Sequence, residues 1–263
     1  MHLSSLHIYP IKSCGGISLT ESGVDVFGLR YDRRFMVVTP KGEFITQREC
    51  AALATVRVRI EGPHLVLAAP DLPEIRLALT PMGGRPVVTR VWEDTVRAVA
   101  PDSAADDWFS NVVGQEAMLA YIPDSVVREV DRSWAPEGGR TGFADGFPFL
   151  IAGEASLADL NSRLAAPLPM NRFRPNLVVS GSAPFAEDGW RRLTIGGIPM
   201  QVVKPCARCV VTTTDQATGR RMGDEPLRTL ATFRRQEGKV MFGQNVVHYG
   251  VGRVAVGDAI VLG

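Results

Sequence analysis

Two of the chain's four cysteines, Cys206 and Cys209, lie three residues apart in the stretch KPCARC. A cysteine pair with this spacing can belong to a zinc site, to a dithiol redox switch, or to a site where one thiolate binds a softer metal. Lys204 and Arg208 flank the pair, and a nearby positive charge favours the thiolate form of a cysteine. The pair is therefore the first candidate for chemistry in this chain.

The alternatives make different demands on the rest of the sequence. Structural zinc needs four ligands, but Cys14 and Cys50 are each isolated and the four histidines lack zinc-ligand spacing. A thioredoxin-like pair begins a helix, whereas the β-branched run VVTTTD predicts a strand over 210–215. A purely structural role also stays open, since free cysteines are often buried as small apolar side chains.

Composition narrows the class of protein. The chain has 263 residues, 45% hydrophobic and 22% charged, with a formal net charge of +1. This composition is typical of a globular protein of one large or two modest domains, and it gives no indication of a nucleic-acid or membrane partner. The N-terminus lacks the pattern of a signal peptide, and no run approaches the roughly 18 apolar residues of a membrane span, so we expect a cytoplasmic, bacterial protein.

The pattern along the chain predicts a mainly β fold with attached helices. Short apolar or alternating runs separated by Gly, Pro and Asp predict strands throughout, without the regular alternation of a doubly wound sheet. Helices are predicted in PDSAADDWFSNVVG, where Asp102 or Ser103 can cap the first turn, in GEASLADLNSRL and in DEPLRTLATFRR. The polar, glycine-rich stretch 131–146 predicts a linker or a mobile loop.

Several ordered motifs resemble the MOSC domain and the β-rich region that precedes it. KPCARCVVTTTD, EPLRTLATFR and FGQN match the MOSC domain, and LHIYPIKSCGGISL and GLRYDRRFMVV match the N-terminal region. The combined pattern is most similar to the YcbX proteins and the mitochondrial amidoxime-reducing component. The resemblance implies an α+β, mainly β fold: a smaller β-rich N-terminal domain over 1–115, and a MOSC β-barrel domain with attached helices over 116–263.

The resemblance also implies a molybdenum cofactor, which is a pterin with a phosphate and a metal-binding dithiolene. By its place in the motif, Cys209 would be the metal ligand and the catalytic residue, and its thiolate suits such a metal. Arg34 would bind the cofactor, with Arg33 as the alternative if the register slips by one. Arg174 and Asn176 flank a proline and, two apart on an extended segment, would point the same way. The other cofactor-binding positions implied are Lys12, Ser13, Cys206, Ala207, Arg208 and Asn245.

The family pattern is not matched everywhere. Asn245 stands where the mitochondrial relatives have tyrosine, and Gly146 and Phe147 replace small hydroxyl residues of those relatives. A side-chain contact at 146 and 147 therefore cannot be carried over, although a backbone contact can. His248 lies nearby, and we expect it to be a packing histidine.

The implied function is reduction of N-oxygenated compounds, namely hydroxylamines, amidoximes and N-hydroxylated bases, with release of water. The sequence contains no ferredoxin-type cysteine spacing, so electrons would come from a separate ferredoxin-like or cytochrome b5-like protein with its reductase. The main alternative is a sulfur or cofactor carrier that uses Cys209 as a persulfide or thiolate. A thiol-redox protein and a pyridoxal phosphate enzyme using Lys204 are weaker alternatives, and Asp215 is a weak candidate for a general acid.

Overall fold

The computed structural model describes residues 1–263, with mainly β secondary structure and three short α-helices. The strands are β1 (His2–Ile8), β2 (Ile17–Leu19), β3 (Glu21–Asp25), β4 (Gly28–Leu29), β5 (Phe35–Val38), β6 (Arg57–Glu61), β7 (His64–Ala68), β8 (Ile75–Ala78), β9 (Arg85–Val91), β10 (Asp94–Ala100), β11 (Met118–Tyr121), β12 (Phe149–Gly153), β13 (Leu177–Ser180), β14 (Arg192–Ile195), β15 (Ile198–Arg208), β16 (Arg235–Gln236), β17 (Lys239–His248), β18 (Gly252–Ala255) and β19 (Ile260–Leu262). The helices are α1 (Ser103–Val113), α2 (Glu154–Ser162) and α3 (Leu227–Ala231). None of them has the length and apolar character needed to cross a bilayer.

The largest element of the fold is a nine-stranded sheet. Its strands follow the order β19-β14-β15-β17-β12-β13-β1-β2, with β16 paired to β17. All pairs are antiparallel except β12 with β13. The mainly β prediction is confirmed. The paired strands do not form a complete closed barrel, although an isolated bridge between His2 and Ala259 connects the start of β1 to the segment before β19.

Three smaller sheets complete the fold, with the orders β5-β11-β10-β9, β18-β3-β4 and β6-β7-β8. Burial alternates along β9 and β10, because one face of this hairpin packs on a core and the other faces solvent. All four residues of β5 and of β11 are buried, in agreement with their continuous apolar sequence.

Strand pairing crosses the predicted boundary between residues 115 and 116. β1 and β2, from the N-terminal region, pair into the large sheet beside β13. In the other direction, β11 pairs with β5 and β10. Leu3, Leu6 and Ile8 accordingly share one hydrophobic core with the strands of the large sheet. The position of the boundary itself stays a prediction.

The helix α1 has the N-cap that its sequence predicts. Asp102 has an extended backbone, and its carboxylate accepts a hydrogen bond from the Ala104 amide at 2.8 Å. Gly114 ends the helix with φ 69°, a conformation that favours glycine. Trp108 and Phe109 are buried against the β5 and β11 core. The helix is therefore fixed at both ends and along one face.

Replacing Asp102 with alanine is expected to destabilise the protein by about 1 kcal/mol, because one helix N–H loses its partner. Asp107 is exposed on the same helix and makes no side-chain hydrogen bond, so Asp107→Ala is the matched control. Denaturant unfolding of the two variants measures the difference. Equal free energies of unfolding would contradict the capping role.

Candidate functional site

A cavity of about 430 Å³ lies where the loop after β1, the loop before β12, the segment before β13 and the end of β15 meet. Of the ten residues that the sequence analysis assigns to the cofactor, Arg34 alone does not line it. The other nine are Lys12, Ser13, Arg174, Asn176, Cys206, Ala207, Arg208, Cys209 and Asn245. Residues up to 233 positions apart in the chain are thus brought to one place.

The charge of this cavity is strongly positive. Six cationic side chains and a single carboxylate, Asp145, line it. Three of the cations, Arg174, Arg208 and Lys239, have no carboxylate within 4.0 Å. Arg174 and Arg208 are partly buried, and a cation that is partly removed from water without an anionic partner is unfavourable, so this arrangement favours an anionic ligand. The cations are Lys12, Arg33, Arg48, Arg174, Arg208 and Lys239.

Two of these guanidinium groups, those of Arg33 and Arg174, lie over the ring of the buried Tyr9. Their central carbons are 4.5 Å and 4.2 Å from its centroid. Arg33 also pairs with Asp32 at 2.6 Å, whereas Arg174 donates only to the Gln216 side chain, at 3.1 Å. Burial lowers the pKa of Arg174 to about 10, which leaves it charged at neutral pH. Arg174 is therefore a fixed cation available to a ligand.

The neighbours Arg33 and Arg34 point to different sides. Arg33 lines the cavity, while the Arg34 guanidinium donates to the Ile122 carbonyl and to Asp124. Arg33 has φ 45°, which interrupts the extended backbone that precedes β5. Arg33, the alternative candidate if the register slips by one, is therefore the arginine at the site. Arg34 lies on the far side, against the rings of Phe27 and Tyr121.

The Asn176 side chain makes its hydrogen bonds to other residues of the protein. Its Oδ1 accepts from Arg33 at 2.8 Å and from the Leu150 amide at 3.1 Å, and its Nδ2 donates to the His7 carbonyl. Asn176 thus ties β1 to β12 and orients Arg33. Arg174 and Asn176 both line the cavity, but Arg174 has φ 54°, so the segment is not extended there as the sequence analysis expected.

Lys12 is held at the cavity by the loop that precedes β12. Its ammonium donates to the Phe143 carbonyl at 2.8 Å and to Asp145 at 2.5 Å. Burial lowers the pKa of Lys12, although Asp145 opposes the change. Burial in turn opposes ionisation of Asp145, but Lys12 and Arg48 hold the pKa of that carboxyl well below its ordinary value. The Asp145 carboxyl is therefore ionised at neutral pH.

Arg128 fixes the shape of this loop from behind. Its guanidinium donates to the carbonyls of Gly142, Ala144 and Asp145, and it pairs with Asp94 at 2.8 Å. Residues 141–144 are buried. The prediction of a linker or mobile loop over 131–146 is therefore wrong for its second half, which is irregular but packed.

Ser13 contributes a hydroxyl that makes no hydrogen bond within the protein. Its backbone carbonyl accepts from Gln47 at 2.6 Å, and Gln47 and Gln216 bond to each other through their side-chain amides. Eight non-glycine residues of the chain have positive φ, and four of them line the cavity: Ser13, Arg33, Trp92 and Arg174. Such strained backbone is concentrated at functional sites.

The cysteine motif lies at the end of β15, where its pairing with β17 is irregular. Register shifts occur between Val202 and Lys204 and between Pro205 and Ala207. Bulges of this kind redirect side chains near active sites. Asn245, on β17, donates to the Lys204 carbonyl at 3.2 Å and so supports the first irregularity.

The two sulfurs of the motif differ in their contacts. Arg208 donates to Cys206 Sγ at 2.8 Å and also bonds the Phe173 carbonyl. Cys209 Sγ makes no hydrogen bond, although the residue lines the cavity. Both are free thiols. No group of three or more histidine, cysteine or acidic side chains is placed so that it could hold a metal ion by itself.

Two expectations about the motif are corrected. Residues Val210–Thr213 form a 3-10 helix, so the predicted strand over 210–215 is wrong, and the cysteines end a strand instead of starting one. Lys204 does not line the cavity, because its ammonium lies 4.7 Å above the Trp134 ring. Asp215 pairs with Arg172 and is likewise outside the cavity lining. His248 packs edge-on against Phe149.

Two family models match successive parts of the chain. The MOSC N-terminal beta barrel domain matches residues 1–116, and the MOSC domain matches residues 138–261. Mitochondrial amidoxime-reducing component 1 of Mus musculus is 32% identical, over 99% of this chain and 82% of the relative. The chain belongs to the MOSC family. The same component of Homo sapiens is 32% identical over the same shares, and the molybdenum cofactor sulfurase of Oryza sativa is 31% identical over 92% of this chain and 32% of that protein.

The cavity draws on both MOSC family regions. Lys12, Ser13 and Arg33 lie in the part that matches the MOSC N-terminal domain, and residues 144–245 of the lining lie in the part that matches the MOSC domain. Neither region alone contains the full set of cations. Gly146 and Phe147 both line the cavity, so the two positions that depart from the family pattern are at the site.

Several residues of this MOSC cavity were missed in the sequence analysis, among them Arg48, Trp92, Asp145 and Lys239. Arg48 and Asp145 are 97 positions apart, yet their side chains approach to 3.5 Å. No local pattern signals such a contact. Trp92 ended the predicted strand RPVVTRVW, and its place in the turn between β9 and β10 appears only in the structure.

Proposed function

We propose that this MOSC protein holds a molybdenum cofactor in the cationic cavity and reduces N-oxygenated compounds. The observation that carries the proposal is the combination of unpaired cations with an uncommitted thiol, that of Cys209, in one cavity. Cations without partners suit the phosphate of the cofactor, and a thiolate suits its metal. The names of the amidoxime-reducing relatives support the same choice of reaction.

The residues present fit this cofactor in their chemistry. Lys12, Arg174 and Arg208 would hold its phosphate and other anionic groups, and the unbonded Ser13 hydroxyl would add a donor. The Arg208 Nε is buried without a partner in the protein, and this side chain lines the cavity. Arg33 takes the place proposed for Arg34. Cys209 would be the protein ligand of the metal.

The cofactor, when bound, would supply the two-electron redox chemistry, and the chain supplies binding and orientation. In the overall reaction the N–O bond of the substrate breaks, two electrons and two protons are taken up, and water leaves. Cys206 stays hydrogen-bonded to Arg208 and so keeps that guanidinium against the Phe173 carbonyl. This contact fixes the Arg208 side chain beside Cys209.

We propose that the electrons come from a separate redox protein, ferredoxin-like or cytochrome b5-like, with its reductase. The four cysteines of residues 1–263 lack the spacing of a [2Fe-2S] cluster. Reduction of an amidoxime from NADH by the purified protein alone would contradict this part of the proposal.

Metal analysis of the protein from a host that makes the cofactor tests the whole proposal. We expect about one molybdenum per chain, and amidoxime reduction with a chemical reductant. Protein from a cofactor-deficient strain of the same host is the control and should have neither. A well-folded protein that contains no molybdenum from the competent host would overturn the proposal.

A carrier function is the second candidate, and one comparison favours it. The rice relative is named a molybdenum cofactor sulfurase, and its match covers nearly all of this chain. The free Cys209 thiol would then carry sulfur as a persulfide. Molybdenum that remains bound through many turnovers of amidoxime favours the reductase, whereas transfer of sulfur or cofactor to a second protein without turnover favours the carrier.

A further inference from the structure

Trp92 is an unusual residue at the tip of the hairpin formed by β9 and β10. Val91 pairs with Asp94, so Trp92 and Glu93 form a two-residue turn. Trp92 has φ 55°, and the first position of such a turn favours glycine. Its side chain is 44% exposed, yet it lines the cavity. A tryptophan here adds backbone strain and exposed apolar surface, so folding alone does not explain it.

The ring of Trp92 is held in a defined position. Phe44 packs against it edge-on, with centroids 5.2 Å apart. The Arg48 guanidinium lies 4.6 Å from its centroid, and Arg48 in turn reaches Asp145 at 3.5 Å. An aromatic side chain that is exposed and at the same time oriented by two neighbours is suited to receive a ligand.

No other aromatic residue of the cavity can serve in this way. Phe147, Phe149 and Phe173 also line it, but their exposed fractions are 9%, 1% and 0%. The remaining lining is dominated by cations, which suit the anionic groups of a cofactor. Trp92 is therefore the one accessible aromatic surface available to a substrate.

We propose that Trp92 is a specificity-determining residue that stacks on the ring of aromatic substrates and so favours them over aliphatic ones. The inference rests on the proposed function, because it assigns the substrate to the same cavity. Aromatic pairs of this kind contribute modestly beyond their buried area. The expected effect is therefore on substrate affinity and not on the chemical step.

The test compares benzamidoxime with acetamidoxime, which share the reacting group and differ in the ring. Trp92→Gly removes the indole, and glycine suits the positive φ of this position, so the variant is expected to fold. Trp92→Phe keeps an aromatic ring. Trp134→Ala is the matched control, because Trp134 is similarly exposed (41%) and also packs against a cation, Lys204, but does not line the cavity.

We expect Trp92→Gly to raise KM for benzamidoxime about three- to tenfold relative to acetamidoxime, with little change in the ratio of the two kcat values. Trp92→Phe should restore most of the difference, and Trp134→Ala should leave the ratio as in the native protein. An unchanged ratio of KM values in Trp92→Gly would overturn the inference.

Binding measured by calorimetry decides the inference even if no amidoxime is reduced. The stacking role is supported if the native protein binds benzamidoxime more tightly than acetamidoxime, and if this difference disappears in Trp92→Gly but remains in Trp134→Ala. Equal binding of both compounds to the native protein, or no binding of either, overturns it. Absence of turnover together with the supporting binding result would contradict only the proposed reaction.

Discussion

Cys209→Ser is expected to lose molybdenum and amidoxime reduction by more than about 100-fold, whereas Cys206→Ser should lose less than about tenfold. A serine hydroxyl is not ionised at neutral pH and is a poor ligand for a metal that binds thiolate. At position 206, the hydroxyl can still accept the hydrogen bond that Arg208 now donates to the sulfur. Metal content and turnover are measured on both variants.

The two cysteines are matched controls for each other, since both are partly buried free thiols of one motif. Circular dichroism and the unfolding midpoint confirm that each variant is folded. Equal and complete loss of activity in both variants, with molybdenum retained, would indicate a dithiol mechanism and contradict the role of Cys209 as a single metal ligand.

The second large effect concerns two arginines that lie two positions apart. Arg172 is buried, pairs with Asp215 at 3.0 Å and donates to the Thr213 carbonyl at 2.9 Å. Arg174 has no carboxylate partner and lines the cavity. We therefore expect Arg172 to stabilise the fold and Arg174 to bind the anionic ligand.

Replacing each arginine with methionine keeps an unbranched apolar stem, removes the charged guanidinium and separates the two roles. Arg172→Met should lower the free energy of unfolding by ~2 kcal/mol or more, because charged hydrogen bonds are lost in a buried place. Arg174→Met should change the free energy of unfolding by less than about 1 kcal/mol, since only a stacking contact and one hydrogen bond to a side-chain amide are lost. Denaturant unfolding of the cofactor-free protein measures both.

Anion binding is expected to respond in the opposite order. Arg174→Met should weaken binding of inorganic phosphate to the cofactor-free protein by about tenfold or more, and lower the molybdenum content after expression in a competent host. Arg172→Met should bind phosphate as the native protein does at temperatures where it is folded. A loss of stability in Arg174→Met without any loss of phosphate binding would contradict the assignment.

Local patterns in the sequence predicted much of the fold. The N-cap of α1 and the strand β9 depend on neighbours within a few residues, and both were found. The prediction of a strand after Cys209 was wrong. β-branched residues favour strands on average, but this segment turns away from β15 into a 3-10 helix. Context in the folded chain overrode the intrinsic preference.

The candidate site was predicted as a set of positions but not as a geometry. The motifs led to nine lining residues, yet Arg33 and Arg34 could not be told apart, because a change of one residue reverses the side of an extended chain. The positive φ of Arg33, 45°, directs its side chain to the cavity, and this backbone conformation is visible only in the structure. Arg48, Trp92 and Asp145 meet through contacts between distant segments, which no local pattern reports.

The pairing of β1 with β13 has a consequence for how the chain folds during synthesis. One edge of β1 pairs early with β2, but the other edge pairs with β13, and His2 meets its partner Ser180 only about 178 positions later. At typical rates of roughly 5–20 residues per second, this delay lasts on the order of ten seconds or more. Leu3, Leu6 and Ile8 stay without their final core during that time, and chaperones that bind apolar segments would have their best opportunity at this strand.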